Sequence, residues 1–218
     1  MSGVVLSLCD KTGNMVRPWA DAGFDCFCVD IQHPLGMSPH DHDRIFLISA
    51  DVLKWSGWGH LPEKPSIVFA FPPCTDLAGS GARWWAGKGL SACIGALQLV
   101  DRCRDIAEGF GCPWMIENPV GRLATCWRKP DHMFDPCDYG GYLDPAGEAY
   151  TKKSCLWTGG GFVMPPKSPV APQGARPGQP NEWYSKVGGK SEKTKNYRSQ
   201  TPRGRTRAVF EANAPVVT

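Results

Sequence analysis

The feature that most restricts the fold of this 218-residue chain is an apolar run that stops at two prolines. Residues 66–70 read Ser-Ile-Val-Phe-Ala, and Phe71, Pro72, Pro73 and Cys74 follow directly. Such a run predicts a buried strand, which must end at the prolines because proline has no N–H to donate. The pattern therefore predicts a thiol at the carboxyl end of a central strand, where open α/β sheets bind their ligands.

A second stretch further along the chain has the same design. Residues 114–116 are apolar (Trp-Met-Ile), and Glu117, Asn118 and Pro119 follow them. Neighbouring parallel strands present their carboxyl ends at the same edge of a sheet. If the two strands are neighbours, the sequence predicts one site that combines the Cys74 thiol with the Glu117 carboxyl group.

The N-terminal segment predicts a strand–helix–strand unit. An apolar run at 4–9 precedes a polar turn at 10–14, and a helical stretch follows at 15–22. The next apolar run, at 24–31, has Asp30 near its end. In the first unit of a doubly wound sheet such an acid commonly binds the hydroxyl pair of a ribose.

Later segments continue the alternation of strands and helices. Strands are predicted at 45–52 and 150–157, an amphipathic helix at 90–110, and a last helix from a Thr201 cap, with Pro202 as its first residue, to about Asn213. Residues 32–44 are predicted to form a polar loop. The predicted fold is α/β and Rossmann-like, with three layers around a mostly parallel sheet.

Composition is that of an ordinary globular chain, with 42% hydrophobic and 21% charged residues. No apolar run approaches the roughly 20 residues that cross a bilayer, and the N-terminus lacks the basic region of a signal peptide. A cytoplasmic location without a membrane partner is therefore expected.

Ten cysteines without a secretion signal or a C-x-x-C pair predict small buried hydrophobic residues rather than disulfides. The pair His40 and His42 has no further ligands at zinc-like spacing, so no metal site is predicted.

Charge is unevenly distributed along the chain. Residues 151–207 contain twelve lysines and arginines against two acids, whereas the whole chain has a net charge of +3. A basic C-terminal quarter on an acidic body indicates a polyanion partner, although a solvated basic loop would have the same composition.

The thiol and the carboxyl group together suggest covalent chemistry. A thiolate can add to an electron-poor carbon and so make a neighbouring carbon nucleophilic. A pyrimidine reacts in this way when the thiolate adds at position 6 and position 5 becomes the nucleophile. A protonated glutamate bonded to ring nitrogen 3 would lower the barrier.

These motifs resemble the DNA (cytosine-5)-methyltransferase family, in which a Pro-Cys motif precedes a Glu-Asn motif. The likeness spans most of the chain and extends to the compact members found in phage genomes, particularly over residues 71–85 and 150–162. It implies a Rossmann-like methyltransferase fold, S-adenosylmethionine as methyl donor and S-adenosylhomocysteine as product. It also implies a DNA-modifying role like that of restriction–modification methyltransferases, in the host cytoplasm, by a monomer.

The resemblance implies a role for individual residues. The catalytic set would be Cys74 as nucleophile, Glu117 on the cytosine edge, Pro73, Asn118 and Lys153. The cofactor would be bound by Asp10, Thr12, Gly13, Asp30, Ile31, Asp51, Val52 and Pro72. Double-stranded DNA would be bound by Ser80, Arg83, Lys88, Lys186, Lys190, Lys193, Lys195, Arg198 and Arg203.

The chain departs from the family pattern at three places. The first turn keeps only one glycine, Gly13, where the family has two or more. Lys153 stands where an arginine is expected to contact cytosine O2, and lysine lacks the planar bidentate fork. In place of a target-recognition domain, only residues 159–200 are available, rich in Gly, Pro and Lys.

The predicted organisation is a catalytic core at 1–158, a reduced recognition insertion at 159–200 and a helix at 201–218 that returns to the core. Cys74 cannot reach a base inside a duplex, so base flipping is implied, with residues 75–89 as a lid over the flipped cytosine.

Other functions remain open at this point. The same fold could modify pyrimidines in RNA or nucleotides, or could be a catalytically inactive DNA-binding protein. An amino-methyltransferase is disfavoured, because Cys74 occupies the aromatic position of that class's Asp/Asn-Pro-Pro-aromatic motif.

Overall fold

The computed structural model describes residues 3–57, 59–173 and 200–215. Its strands are β1 Val4–Leu8, β2 Asp25–Asp30, β3 Met37–Pro39, β4 Ile45–Ser49, β5 Pro65–Ala70, β6 Trp114–Pro119, β7 His132–Phe134 and β8 Ser154–Gly159. Its α-helices are α1 Arg17–Asp21, α2 Trp85–Phe110, α3 Leu123–Cys126 and α4 Arg203–Asn213. Two 3-10 helices span Gly79–Trp84 and Pro136–Tyr142.

In the described part of the chain, the eight strands form one sheet in the order β3-β4-β2-β1-β5-β6-β8-β7. The five central strands, from β4 to β6, are parallel to one another, whereas β3 and β8 run antiparallel to β4 and β6. The predicted Rossmann-like α/β fold is confirmed. From the central β1, the chain builds outward first through β2 and then through β5, which creates a crevice at their carboxyl ends.

Helices cover both faces of the sheet because side chains alternate along each strand. Val68 and Ala70 of β5 belong to a buried cluster that also includes Val100 of α2. Phe69 lies on the opposite face, where its ring centroid is 6.1 Å from that of Trp19 in α1. The three-layer arrangement is thus confirmed.

Two predicted boundaries were wrong on the N-terminal side of an element. Helix α2 begins at Trp85 instead of residue 90, and Gly89 interrupts it with φ 78° and ψ 174°. Strand β8 begins at Ser154 instead of residue 150, so Lys153 precedes the strand. Glycine tolerates the left-handed φ that interrupts α2, which explains how helix can form on both sides of residue 89.

Short elements were missed in the segments predicted to be irregular. Strand β3 lies within residues 32–44, and β7 lies in the segment before residue 149. At the last helix, Pro202 is the extended N-cap residue (φ −60°, ψ 132°) and not the first helical residue, whereas the predicted end at Asn213 is confirmed.

The chain divides into two units, of which the second comprises the described residues of Phe134–Lys153 and Val163–Ala214. Within it, the Glu148 carboxylate accepts hydrogen bonds from the backbone N–H groups of Arg203 and Gly204 at the start of α4. The predicted boundaries at residues 158 and 200 stay predictions. Among the described helices, none has both the length and the apolar composition that a membrane crossing needs.

Candidate active site

The crevice between β1 and β5 holds the predicted nucleophile. The Phe71 N–H donates to the Leu8 carbonyl oxygen at 3.0 Å, so the chain leaving β5 stays attached to β1. Pro72 is then buried, whereas Pro73 and Cys74 are exposed. The two prolines end the strand because they have no N–H groups to donate. The Cys74 thiol is exposed to solvent at the opening of the crevice.

The second motif lies beside the first, because β6 is the parallel neighbour of β5 with Ala70 paired to Ile116. Asn118 is 2% exposed, and its Nδ2 donates to the Pro72 carbonyl oxygen at 2.9 Å. The condition on which the sequence made this site depend, that the two strands are neighbours, is met. A buried side chain of the second motif therefore holds the backbone of the first, next to the half-buried Glu117.

Backbone bonds join the two loops further on, and sequence reasoning missed this connection. Ala78 and Gly121 form an isolated antiparallel bridge. The Gly79 N–H donates to Val120 O and the Arg122 N–H to Leu77 O, both at 2.8 Å. A Cβ at residue 121 would lie 2.0 Å from Leu77 O, so this approach needs glycine. The one sequence signal for it was a glycine soon after the Glu-Asn-Pro motif.

The lid segment that follows Cys74 is partly helical. The Lys88 ammonium contacts Asp76 Oδ1 at 2.6 Å and Thr75 O at 3.1 Å, so this predicted phosphate ligand has a carboxylate partner. The Arg122 guanidinium lies 3.6 Å from the centroid of the Trp85 ring, an attractive cation–π contact.

The most accessible groups of the lid are polar or aromatic. Ser80 and Arg83 are exposed, as their predicted role in binding DNA requires. Trp84 is 60% exposed, and the Arg83 guanidinium lies 5.0 Å from its ring centroid. The lid thus presents an aromatic face and a cation to solvent.

At the other wall of the crevice, the turn after β1 is held by its own side chains. Asp10 is 5% exposed, and its two carboxylate oxygens accept from Ser7 Oγ at 2.8 Å and from the Thr12 and Gly13 N–H groups at 3.0 and 2.8 Å. Asp10, predicted to contact the cofactor, therefore shapes the turn. Gly13 has φ +65°, which suits glycine.

Cys9 enters this turn with φ 53°, a conformation that is rare for residues other than glycine. A hydrogen bond with Cys103 and burial raise the pKa of the Cys9 thiol. All ten cysteines are outside disulfides, as predicted.

The strand-end residues predicted to bind a ribose and an adenine lie along the same sheet edge. Asp30 is 7% exposed and accepts from the Gln32 N–H at 2.8 Å, whereas Ile31 is 69% exposed. Asp51 follows β4 and is partly exposed, but the Val52 side chain lies in the core cluster. Only the backbone of Val52 is therefore available to a cofactor.

The remaining predicted residues belong to the second unit or fall outside the described residues. Lys153 belongs to the second unit, where its Nζ is 2.5 Å from Asp135 Oδ2, and this hydrogen bond raises the pKa of Lys153. Its contact with cytosine O2 stays a prediction, as does the role of Arg203. The five predicted DNA ligands outside the described residues are Lys186, Lys190, Lys193, Lys195 and Arg198.

No protein-family model and no curated protein matches this chain. Among solved structures, it is similar to the glycopeptide N-methyltransferase MtfA, at 17% identity and TM-score 0.31 over 57% of this chain and 50% of MtfA. The CcbJ methyltransferase from Streptomyces caelestis aligns at 16% identity and TM-score 0.33 over 61% of this chain and 49% of CcbJ.

An antibiotic-related methyltransferase aligns at 12% identity and TM-score 0.38 over 72% of this chain and 87% of its own. The chain spans about half the length of MtfA and CcbJ. At these TM-scores the likenesses carry no argument. The fold assignment therefore depends on the sheet itself, and the functional proposal depends on the crevice.

Proposed function

We propose that this chain is an S-adenosylmethionine-dependent DNA cytosine-5 methyltransferase. The observation that carries the proposal is the hydrogen bond from Asn118 Nδ2 to the Pro72 carbonyl oxygen, at 2.9 Å. It couples the loop of an exposed thiol to the strand end that bears Glu117. Cys74 is exposed and so is accessible to a substrate, unlike the buried Cys93 and Cys103.

The chemistry assigned to Cys74 is reversible addition to the pyrimidine ring. The deprotonated Sγ bonds to C6, and the electron pair of the C5–C6 double bond moves into the ring, so that C5 becomes nucleophilic. The Glu117 carboxyl group would hydrogen-bond to ring nitrogen 3 and so disperse the negative charge that develops. C5 then gains the methyl group as the sulfur–methyl bond of the donor breaks, which would leave S-adenosylhomocysteine. A base removes the C5 proton, the double bond re-forms, and the Sγ–C6 bond breaks to release the thiolate.

The sheet edge has the chemistry that an adenosine cofactor needs. Asp30 and Asp51 offer carboxylate oxygens for hydroxyl and amino groups, and the exposed Ile31 offers an apolar surface for a base. When bound there, S-adenosylmethionine supplies an electrophilic methyl group. The first turn, held by Asp10, would face the methionine portion.

The lid supports a nucleic-acid substrate. A base in a duplex must be flipped out to reach Cys74, and the exposed Trp84 ring with the adjacent Arg83 cation is a surface on which bases can stack. The basic composition of residues 151–207 fits binding to phosphates.

The decisive experiment is transfer of labelled methyl groups from S-adenosylmethionine to unmethylated duplex DNA. Wild type should label the DNA, with the label recovered as 5-methylcytosine, and Cys74→Ser should lose activity on the order of 10³-fold or more. Cys126→Ser is the matched control because Cys126 is also exposed but lies on α3, and it should keep full activity.

The other results would each indicate a different function. Cofactor binding without label in duplex DNA would indicate another acceptor, to be tested with single-stranded DNA, RNA and nucleotides. DNA binding without cofactor binding would indicate an inactive DNA-binding protein. Label that survives in Cys74→Ser would refute the assignment of the nucleophile.

A further inference from the structure

Two histidines of the segment between β2 and β4 bind the first turn from outside. His33 is 7% exposed, with Nδ1 3.1 Å from Ile48 O and Nε2 3.3 Å from Lys11 O. His33 therefore joins the end of β4 to the turn after β1. A neutral imidazole can donate to one of these carbonyls, and an imidazolium can donate to both.

The second histidine contacts the next residue of the same turn. His40 Nε2 lies 3.1 Å from Thr12 O, and Asp41 lies beside its Nδ1. Nε2 also lies 3.3 Å from the position that a Cβ on Gly13 would occupy, as does Ile45 Cγ2. The imidazole of His40 thus lies directly against the turn.

The first turn contains only one glycine, Gly13, and its shape depends on contacts with the side chains of Asp10, His33 and His40. The Asp10 carboxylate accepts hydrogen bonds from the N–H groups of Thr12 and Gly13. The imidazoles of His33 and His40 lie at hydrogen-bond distance from the next two carbonyl oxygens of the turn, those of Lys11 and Thr12. With these groups already bonded, the turn does not have to be ordered when a ligand arrives. Such preorganisation increases affinity because less conformational entropy is lost on binding.

We propose that His33 and His40 are positioning residues for the cofactor, which hold the first turn in the shape that receives the methionine end of S-adenosylmethionine. This inference depends on the proposed function for the identity of the ligand. It assigns a role to the His40 and His42 segment, where the described residues contain no group of three or more potential metal ligands. Neither histidine touches the cofactor in this proposal, and both act through the backbone of the turn.

The test compares amide replacements that keep one ring nitrogen each. The Nε2 of glutamine occupies roughly the position of histidine Nε2, and the Nδ2 of asparagine that of histidine Nδ1. His33→Gln therefore keeps a donor for Lys11, and His33→Asn keeps a donor only for Ile48. Calorimetric titration of the full chain with S-adenosylhomocysteine should give near wild-type affinity for His33→Gln and about five- to tenfold weaker binding for His33→Asn.

A second pair of variants, at His40, tests the proposal even if a substitution of the buried His33 causes misfolding. His40→Gln should bind like wild type, and His40→Leu should bind about five- to tenfold more weakly. Hydrogen exchange of the Thr12 and Gly13 amides, measured without ligand, should be faster in His33→Asn and His40→Leu only. This second readout reports the turn itself.

Each outcome decides between the alternatives. If the asparagine and glutamine variants of His33 both bind S-adenosylhomocysteine like wild type, the proposal is overturned. It is also overturned if both bind equally more weakly than wild type, because His33 then has a general packing role. If wild-type protein binds no S-adenosylhomocysteine while its turn amides are protected, the proposed function fails and the histidines hold a turn that serves another purpose.

Discussion

The first turn, which follows β1, and the thiol loop, residues 71–79 after β5, follow neighbouring parallel strands but are held in place differently. Two N–H groups of the first turn are bonded by the buried carboxylate of its own Asp10, while His33 and His40 lie against its carbonyl oxygens. The thiol loop is bonded by a distant segment, through Asn118 and the bridge to Gly121. The N–H groups of one wall are therefore bonded within the turn itself, whereas the backbone of the other wall is bonded by the segment that follows β6.

The largest expected difference between the two walls is in the reactivity of their thiols, Cys9 in the first turn and Cys74 in the thiol loop. The hydrogen bond with Cys103 and burial raise the pKa of Cys9, and the reactive species is the thiolate, so Cys9 should be nearly inert at pH 8. The exposed Cys74 should react with iodoacetamide at least about 100-fold faster. Peptide mass spectrometry of the native protein over time measures both rates.

Controls for this comparison come from the same sample. Cys126 is also exposed and should be labelled alongside Cys74. In urea, all ten thiols should react, which confirms that protection of Cys9 comes from the fold. Similar rates for Cys9 and Cys74 in the native protein would contradict the difference between the two walls.

Much of the sheet could be predicted from the sequence because its central strands are continuous apolar runs. Two such runs that end in polar residues predicted β5 and β6 as strands, but their adjacency could only be stated as a condition, which the pairing of β5 with β6 meets. Strand β3 was missed because three residues that include Pro39 have no period to detect. The start of β8 was misplaced because pairing with β6 determines it, with Ser154 opposite Pro119.

The connection between the two loops of the site could not be predicted for a similar reason. A glycine in a loop after a proline is an ordinary turn signal, and its importance comes from Leu77 O, which approaches only in the folded protein. The contact of Lys88 with Asp76 was missed for the same reason, because only the folded lid brings the two side chains together; the predicted role of Lys88 in binding DNA stays a prediction.

A substitution that breaks the connection between the thiol loop and Gly121 should reduce stability more than a substitution in the first turn. Gly121→Ala introduces a Cβ 2.0 Å from Leu77 O, and because the obstacle is backbone, the loops must separate. We expect the free energy of unfolding to fall by about 2–3 kcal/mol. Urea denaturation followed by tryptophan fluorescence measures this loss.

Gly87→Ala is the matched control for that substitution. Gly87 lies near the N-terminus of α2, and apart from its chain neighbours and its own helix backbone no atom comes within 4 Å of the position that its Cβ would take. Alanine there should leave stability unchanged or raise it by up to about 1 kcal/mol. Equal losses for the two variants would mean that glycine flexibility, and not the contact with Leu77 O, explains the effect.

A smaller loss is expected at the first turn, where the bonds are hydrogen bonds and no backbone has to move. Asp10→Ala leaves the Thr12 and Gly13 N–H groups without their acceptor, which should lower the free energy of unfolding by about 1–2 kcal/mol. Asp10→Asn keeps Oδ1 as acceptor and should recover most of this loss. Asp43→Ala, at an exposed acid, should change stability by less than about 0.5 kcal/mol. If asparagine is as damaging as alanine, the negative charge of Asp10 matters to the turn, and side-chain hydrogen bonds to its N–H groups alone do not explain its stability.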